Sequence, residues 1–264
     1  MTSHTVLGVV PARLGSERLP RKPLYRLAGR PLLEWVWRRI EGFGVLDACV
    51  VATDAAEILE VCAGFGARAV MTSPLHASGT ERVAEVAELP EYSAYEVFVN
   101  VQGDEPFVRE EHVAVAVEQV RSGFDVGTVA APVRTRAAWH DPGVVKVARR
   151  PNGAALYFSR AAIPFRREGE PSEEELSTQL YLRHIGVYAY TRAGLARWVT
   201  LPPSELERTE RLEQLRPLAA GMTIGVGVVA DAESGVDTAE DAARAERMLL
   251  SGMAGFTLND ALKR

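Results

Sequence analysis

The sequence predicts an α/β fold with a mostly parallel central sheet flanked by helices and a smaller mixed or antiparallel extension. The first observation is that, up to about residue 101, short β-branched runs alternate with helical segments of roughly ten residues, as in parallel βαβ units. The second is that strand-like runs follow one another beyond about residue 125, with little helix between them. The length of 264 residues favours one large unit with an appended segment over two full domains.

The first half alternates strands and helices in order. Strands are predicted over 5–10, 48–53, 68–71 and 96–101, and helices over 31–40, 55–65 and 80–87. In the first helix Leu32, Trp35 and Val36 share one face. Pro31 suits the first turn of this helix, since its missing N–H would have no helical partner there.

The second half is richer in strands. Strands are predicted over 126–133, 144–149, 154–158, 182–190 and 223–229, and helices over 192–199, 206–220 and 238–250. The stretch 166–178 is highly charged and contains Gly169 and Pro171, which predicts a surface loop.

Composition and charge exclude several classes of protein. A net charge of −5 provides no basic field for a nucleic-acid backbone. No apolar run approaches the roughly 20 residues of a membrane span, and Met1 to Thr5 lack the basic start and apolar core of a signal peptide. Cys49 and Cys62 are not spaced as a metal-binding pair, so buried thiols are expected. These features predict a cytoplasmic enzyme without nucleic-acid partners or membrane insertion.

A glycine-containing basic segment, PARLGSERLPRKPL, follows the first predicted strand. Its chemistry-bearing residues are Arg13, Gly15, Ser16, Arg18, Arg21 and Lys22. Glycine lets backbone N–H groups approach a triphosphate closely, and the arginines and lysine supply fixed cations. A solvated basic turn has the same composition, but the position directly after a buried strand favours a phosphate site. The segment lacks the GxxxxGK[ST] spacing, so it is not a Walker-type loop. No GxGxxG follows the first strand, which disfavours a dinucleotide oxidoreductase.

Two carboxylates are candidates for holding a metal ion. Asp104, in VQGDEP, follows the strand predicted over 96–101, where it could serve either as a magnesium ligand or as a turn residue. In GVDTAED, Thr238 is predicted to cap a helix together with Asp241. This leaves Asp237 available as a second ligand, which only folding could bring to Asp104.

Two further segments carry polar groups that a nucleotide or sugar could use. In SGTERV, Ser78 could present a hydroxyl to a ribose or base, with Arg82 one turn later, although an ordinary helix start explains both. In YLRHIGVYAY, strand alternation places His184 and Tyr188 on one face. Such a face could hydrogen-bond a polyhydroxylated sugar, or the strand could simply be half exposed.

Taken together, these segments resemble the family of 3-deoxy-manno-octulosonate cytidylyltransferases. The match runs in order through PARLGSERLPRKPL, VATD, SGTER, VNVQGDEP, VKV, ALYFSR, YLRHIGVY, LEQLR and GVDTAED. The strings VNVQGDEP and YLRHIGVY are the most specific. The opening loop is shared more widely among sugar nucleotidyltransferases and supports only that broader class.

The resemblance implies a glycosyltransferase-A-like nucleotidyltransferase fold, usually a homodimer, spanning 1–264 as a single domain. It implies a nucleotide-binding part at 1–125, a sugar-binding and dimerisation part at 126–222, and a segment at 223–264 that completes the metal site. The implied reaction transfers CMP from CTP to the anomeric hydroxyl of 3-deoxy-manno-octulosonate, with Mg²⁺ as cofactor and pyrophosphate as second product. The sugar nucleotide would serve lipopolysaccharide biosynthesis.

The resemblance also implies roles for individual residues. The implied catalytic residues are Arg13, Arg18, Lys22, Asp104 and Asp237, of which Asp104 and Asp237 would be the metal ligands. The implied nucleotide-binding residues are Arg13, Gly15, Ser16, Arg18, Lys22, Ser78, Arg82, Gln102 and Asp104. The implied sugar-binding residues are Gln102, Arg160, His184, Tyr188, Glu213 and Gln214.

Two departures from the family pattern leave alternatives open. Arg208 stands where a histidine is expected, and the second half of 166–178 is unusually acidic. A related CTP-dependent enzyme acting on another acid, such as a sialic acid or a phosphonate, is therefore one alternative. A non-catalytic nucleotide-binding protein on the same scaffold is the other, and the presence of both Asp104 and Asp237 argues against it.

Overall fold

The computed structural model describes residues 5–16 and 18–251. Two units make up the chain: Met1–Glu110 with Glu233–Arg264 form the first, and Glu111–Ala232 the second. Residues 1–4, on which part of the expectation of no signal peptide depends, lie outside the described residues. Across the described stretches, no helix combines the length and apolar character needed to cross a membrane.

The first unit is built on four parallel strands. Its strands are β1 (Val6–Ala12), the short antiparallel pair β2 (Arg26–Leu27) and β3 (Arg30–Pro31), β4 (Ala48–Thr53), β5 (Ala69–Met71) and β6 (Val97–Val101). Its first helices are α1 (Leu32–Ile40), α2 (Ala56–Gly64) and α3 (Gly79–Glu88). The parallel strands pair in the order β6–β1–β4–β5. All four therefore end at the same edge, and the loops that follow them emerge together.

The second unit has a mixed sheet. Its strands are β7 (Val126–Pro132), β8 (Lys146–Arg149), β9 (Ala155–Ser159), β10 (Leu182–Thr191) and β11 (Ile224–Val228). Its helices are α4 (Glu110–Arg121), α5 (Arg136–His140), α6 (Glu173–Leu176), α7 (Arg192–Thr200), α8 (Glu205–Glu210) and α9 (Leu215–Ala219). The first residue of α4, Glu110, belongs to the first unit. The strand order is β11–β7–β10–β8–β9, in which only β11 and β7 are parallel. The predicted fold class is thus confirmed, with the parallel part in the first unit and the mixed part in the second.

The last helix, α10 (Ala239–Ser251), returns to the first unit. Its buried face, with Ala242 and Leu249, packs in one apolar cluster with Leu32 and Trp35 of α1. The predicted stripe on α1 is confirmed, because Trp35 is fully buried there. This packing fixes the position of the residues just before α10, among them Asp237.

The helices differ from the sequence prediction in several places, and the short helix α5 was not predicted. The predicted helix over 206–220 is two helices, α8 and α9, because Arg211 adopts a left-handed conformation (φ 52°) that ends α8. The predicted loop over 166–178 contains the single turn α6, which Ser172 and Glu175 start with a capping box. Helix α4 was not predicted, although its buried face repeats with helical spacing; that face comprises Val113, Ala116, Val117 and Val120.

Candidate active site

The loops after β1 and β6 lie side by side because these strands are parallel neighbours. The first loop carries the predicted phosphate-binding cations, and the second carries Asp104. Gly103 makes the approach between them possible: a Cβ at this position would lie 3.0 Å from the Pro11 carbonyl oxygen at the end of β1. Any larger residue would push the Asp104 loop away from β1.

A backbone hydrogen bond brings Asp237 to the same place. Val236 N donates to the Asp104 carbonyl oxygen at 2.8 Å, and a Cβ at Gly235 would lie only 2.9 Å from Glu105 Oε1. The helix cap predicted for α10 is confirmed, since Asp241 N donates to Thr238 Oγ1 at 3.1 Å. In return, Thr238 N donates to Asp241 Oδ2 at 3.0 Å. The Asp237 carboxylate takes no part in that cap and remains available to other groups.

Lys22 lies between the two carboxylates. Its Nζ is 2.5 Å from Asp104 Oδ2 and 2.9 Å from Asp237 Oδ1, and Arg18 Nη2 is 3.1 Å from the same Asp237 oxygen. Burial acts to lower the pKa of Lys22, but the two carboxylates more than offset it and the pKa is raised. Two anionic oxygens therefore converge on one cation, at the edge where the loops after β1 and β6 meet.

This pair of carboxylates fits a magnesium ion that is shared with a substrate. Magnesium prefers oxygen ligands and is commonly bound by one or two carboxylates together with phosphate oxygens and water. Within residues 5–16 and 18–251, no group of three or more His, Cys, Asp or Glu side chains is arranged to hold a metal. An ion held by Asp104 and Asp237 would thus need oxygens from phosphates or water to complete its shell.

The remaining cations and small residues of the first loop are accessible. Arg13 is exposed, and its Nη1 is 3.5 Å from the carbonyl oxygen of Ala77, next to Ser78. Gly15 is also exposed, and apart from its two chain neighbours no atom of the described residues lies within 4 Å of the position that its Cβ would take. Ser16 N donates to the Leu14 carbonyl oxygen at 2.9 Å, which folds the loop into a tight turn.

Ser78 and Arg82 occupy the start of α3. Ser78 is the N-cap, and its hydroxyl accepts from Glu81 N at 3.2 Å. The Arg82 side chain is buried, with Nη2 donating to Asp54 Oδ2 at 2.9 Å and Nη1 to the Thr72 hydroxyl. Arg82 thus ties α3 to the residues that follow β4 and β5. Its direct contact with a nucleotide stays a prediction.

Gln102 lies in the first unit with the nucleotide candidates. It follows β6 directly, and its Nε2 is 3.4 Å from the Oδ1 of the buried Asn100. The other predicted sugar-binding residues, Arg160, His184, Tyr188, Glu213 and Gln214, belong to the second unit.

His184 and Tyr188 remain on one face of β10 despite an irregularity between them. Opposite β10, Ile185 pairs with Val129 and Tyr188 with Thr128, so β10 has two extra residues at this point. Because strand side chains alternate with a period of two, two extra residues leave the facing unchanged. The two rings are accordingly 5.2 Å apart between centroids.

The chemical state of both rings is set by burial. Desolvation lowers the pKa of His184 to about 3, so its imidazole is neutral. The Thr128 hydroxyl donates to the Val187 carbonyl oxygen at 2.8 Å and accepts from His184 Nε2 at 2.9 Å. This leaves His184 Nδ1 as an acceptor. The pKa of Tyr188 is raised well above its usual value, mainly by burial and to a smaller extent by the nearby Tyr190 and Glu213, so its phenol keeps its proton.

Arg160 and the segment before α9 contribute the other sugar candidates. Gln214 is the buried N-cap of α9, and the half-buried Glu213 precedes it. Arg160 follows β9 and donates from Nε to the Glu210 carbonyl oxygen at 2.8 Å. Two residues that contact Arg160, Glu210 and the buried Lys146, were not predicted as site residues because neither shows a distinctive spacing in the sequence. Lys146 belongs to the matched string VKV, and Glu210 lies just before LEQLR.

The two departures from the family pattern lie in exposed positions. Arg208 is paired with Glu205 one turn earlier on α8, and both side chains are mostly exposed. The acidic residues Glu173 and Glu174 belong to the first turn of α6, where negative charge is favourable to a helix. Local helix chemistry therefore accounts for both.

Comparisons with known proteins show which family the chain resembles. The profile of the family described as Cytidylyltransferase matches residues 7–224. The chain is 54% identical over 241 residues to a 3-deoxy-manno-octulosonate cytidylyltransferase from Gemmatimonas aurantiaca, covering 91% of this chain and 92% of that protein. It is 42% identical over 249 residues to the enzyme of the same name from Haemophilus ducreyi, covering 91% and 96%.

A solved structure shares the fold. It is that of a CMP:2-keto-3-deoxy-manno-octonic acid synthetase complexed with CTP, with a TM-score of 0.85 and 34% sequence identity. The alignment covers 94% of this chain and 99% of that one. The motifs of the sequence, the architecture of both units and these relatives lead to one assignment: the chain belongs to the cytidylyltransferase family, among the 3-deoxy-manno-octulosonate cytidylyltransferases.

Proposed function

We propose that this chain transfers CMP from CTP to the anomeric hydroxyl of 3-deoxy-manno-octulosonate and releases pyrophosphate. The observation that carries the proposal is the convergence of Asp104, Asp237 and Lys22 beside an exposed loop that presents Arg13 and Arg18. Such a site combines cations for a triphosphate with a carboxylate pair for a divalent metal. The 54% identity to a relative of that name supports the choice of acceptor.

In the proposed reaction, the anomeric hydroxyl of the sugar loses its proton to water as its oxygen forms a bond to the α-phosphorus of CTP. The bond from that phosphorus to the bridging oxygen of the β-phosphate breaks, and pyrophosphate leaves with the bonding electrons. Arg13, Arg18 and Lys22 stabilise the negative charge on the departing group. The protein forms no covalent intermediate; its residues position the reactants and neutralise charge.

We infer that Mg²⁺ is the cofactor and that Asp104 and Asp237 hold it. When bound, the ion would neutralise phosphate charge and polarise the phosphorus centre. The contacts of Lys22 support this assignment, because the two carboxylates already converge on a cation. Lys22, once released from the carboxylates, has the length and charge to bind a phosphate oxygen.

We propose that most of the groups that bind the acceptor belong to the second unit. Neutral His184 offers Nδ1 as an acceptor, and Tyr188 offers a phenolic hydroxyl that stays protonated. These groups suit the hydroxyls of a sugar. Arg160 has two N–H groups beyond its three contacts with protein, and these suit a carboxylate. We propose that Gln102, Glu213 and Gln214 complete the recognition of the sugar.

Pyrophosphate release from CTP tests the proposal. The protein is incubated with CTP and Mg²⁺ and with 3-deoxy-manno-octulosonate, a sialic acid, a phosphonate or no acceptor. Release with the first acid alone, together with formation of its CMP derivative, is the expected result. Release with another acid would support the related enzyme instead, and CTP binding without release would support a non-catalytic binding protein.

Arg208 allows the identity of the acceptor to be tested from the protein side. Its exposed pairing with Glu205 leads us to expect that Arg208→His leaves the ranking of acids unchanged. A changed ranking would show that this departure from the family pattern alters acceptor choice.

We also infer a cytoplasmic homodimer in which residues 1–125 bind mainly the nucleotide, 126–222 the sugar and the partner subunit, and 223–264 complete the metal site. Free cysteines support a reducing compartment: Cys49 and Cys62 form no disulfide, and burial raises the pKa of each thiol to about 12. Analytical ultracentrifugation at several concentrations tests the dimer. A single species with the mass of one chain would contradict it.

A further inference from the structure

Three contacts with protein orient the Arg160 guanidinium. Nε donates to the Glu210 carbonyl oxygen at 2.8 Å, Nη1 to that of Pro142 at 2.8 Å, and Nη2 to that of Arg211 at 3.3 Å. A guanidinium has five N–H donors, so two have no partner among residues 5–16 and 18–251 and remain for a ligand. The direction in which these two donors point depends on the groups that hold the other three.

Glu210 holds Arg160 through both its main chain and its side chain. Besides the carbonyl contact, Glu210 Oε2 accepts from Arg160 N at 2.9 Å, and Oε1 accepts from the hydroxyl of the buried Ser159 at 2.6 Å. Glu210 is the last residue of α8, and Arg160 directly follows β9. One residue therefore joins two segments that carry predicted sugar-binding groups, since Glu213 and Gln214 follow it closely in sequence.

Lys146 also bonds to the main chain of Arg160. Its fully buried Nζ donates to the carbonyl oxygens of Arg160 at 2.7 Å, Val144 at 2.6 Å and Asp141 at 2.8 Å. These bonds use all three of its donors and fix the turn 141–144, which carries the Pro142 carbonyl that Arg160 contacts. Because Lys146 and Glu210 both bond to the main chain of Arg160, and three carbonyl oxygens accept from its guanidinium, the position of the Arg160 side chain is set by the protein before any ligand binds.

We propose that Glu210 is a positioning residue for the acceptor: it sets the Arg160 guanidinium so that the two remaining N–H groups bind the carboxylate of the acid. This inference rests on the proposed function, because it assigns the carboxylate to Arg160. Glu210 itself does not touch the acceptor. Its loss therefore weakens acceptor binding only as far as Arg160 contributes to that binding.

A double-mutant cycle tests this dependence. Glu210→Ala, Arg160→Ala and the double variant are compared for the KM of the acceptor acid, the KM of CTP and kcat. We expect Glu210→Ala to raise the acceptor KM about tenfold or more, while the CTP KM stays within about twofold. In the Arg160→Ala variant, adding Glu210→Ala should change the acceptor KM by less than about twofold, because the effects of residues that act as one unit are not additive.

Two matched variants separate positioning from general damage to the fold. Glu205→Ala removes an exposed glutamate from the same helix and should leave all three parameters unchanged. Glu210→Gln retains a side-chain oxygen that can accept from Arg160 N, which Glu210→Ala lacks, whereas the main-chain carbonyl is present in both variants. In Glu210→Gln the acceptor KM should therefore be much closer to the wild-type value than in Glu210→Ala.

Two results would overturn the proposal. If Glu210→Ala leaves the acceptor KM unchanged, or if it raises this KM equally with and without Arg160, Glu210 does not act through Arg160. Failure of the proposed function has a different signature: the wild-type protein would then release no pyrophosphate with CTP and the acid. If the wild-type enzyme is active but the effects of Glu210→Ala and Arg160→Ala on the acceptor KM are additive, only the role of Glu210 is contradicted.

Discussion

Lys22 donates from Nζ to Asp237 Oδ1 at 2.9 Å, although the two residues are 215 positions apart in the sequence. The same ammonium is bonded to Asp104. A cation assigned to the phosphates is thus paired in this structure with two anions assigned to the metal. In the proposed function, binding of metal and nucleotide exchanges these partners.

Removing either carboxylate should abolish most of the activity. We expect Asp104→Asn and Asp237→Asn each to lower kcat by orders of magnitude at saturating Mg²⁺, because an amide is a poor ligand for a hard cation. Steady-state pyrophosphate release measures this, with circular dichroism as the check on folding. Glu240→Gln, an exposed neighbour in the first turn of α10, is the matched control and should behave as wild type. Near-normal turnover in an aspartate variant would remove that residue from the mechanism.

Removing the Lys22 ammonium should strengthen metal binding in the absence of nucleotide. In Lys22→Met the two carboxylates lose their internal cation, so we expect Mn²⁺ to bind about tenfold more tightly, equivalent to about 1.4 kcal/mol. The amplitude of the free Mn²⁺ signal in electron paramagnetic resonance reports this directly. Arg21→Met is the control, because Arg21 pairs with Glu57 instead. Equal or weaker Mn²⁺ binding in Lys22→Met would show that the ammonium does not compete with the metal.

Arg18 should act on the nucleotide and not on the sugar. Its side chain is 68% exposed and its ion pair is with Asp237, so it is free to move to a phosphate. Arg18→Ala is expected to raise the KM of CTP much more than that of the acceptor. Initial rates with each substrate varied in turn provide the comparison. A rise confined to the acceptor KM would contradict this assignment.

His184 and Tyr188 should act on the sugar. Each hydrogen bond lost to a buried partner costs about 0.5–1.5 kcal/mol, so Tyr188→Phe and His184→Ala should weaken acceptor use several-fold with CTP use nearly unchanged. The alternative is that β10 serves only to pack against a partner subunit. Sedimentation of both variants distinguishes the two: a shift towards monomer with unchanged acceptor dependence would contradict a role in sugar binding.

His184 should also make the protein less stable in acid. Its pKa in the folded state is about 3, well below the value of about 6.5 expected in the unfolded chain. Between these values the unfolded chain binds more protons, so the free energy of unfolding falls as the pH is lowered from 6.5 towards 3. Urea titrations across this range should show a shallower decrease for His184→Gln than for the wild type. Identical pH profiles would mean that His184 is not held neutral by the fold.

Several features followed from the sequence alone because they depend on local chemistry. Hydrophobic periodicity predicted the four parallel strands of the first unit and the buried face of α1, and residue type predicted the cap formed by Thr238 and Asp241. The alternation of β10 placed His184 and Tyr188 together, and it survived because the irregularity adds an even number of residues. The order of motifs was enough to indicate the family.

Other features were decided only by tertiary structure, because they join residues distant in the sequence. The backbone bond from Val236 to Asp104 and the position of Lys22 between two aspartates depend on the packing of α10 against α1. The burial of Arg82 against Asp54, and the contacts of Glu210 with Arg160, have no periodicity that a sequence could display. Residue types were enough to identify the candidate site residues. Their partners were decided by the fold, because long-range hydrogen bonds and ion pairs form only where folding brings distant segments into contact.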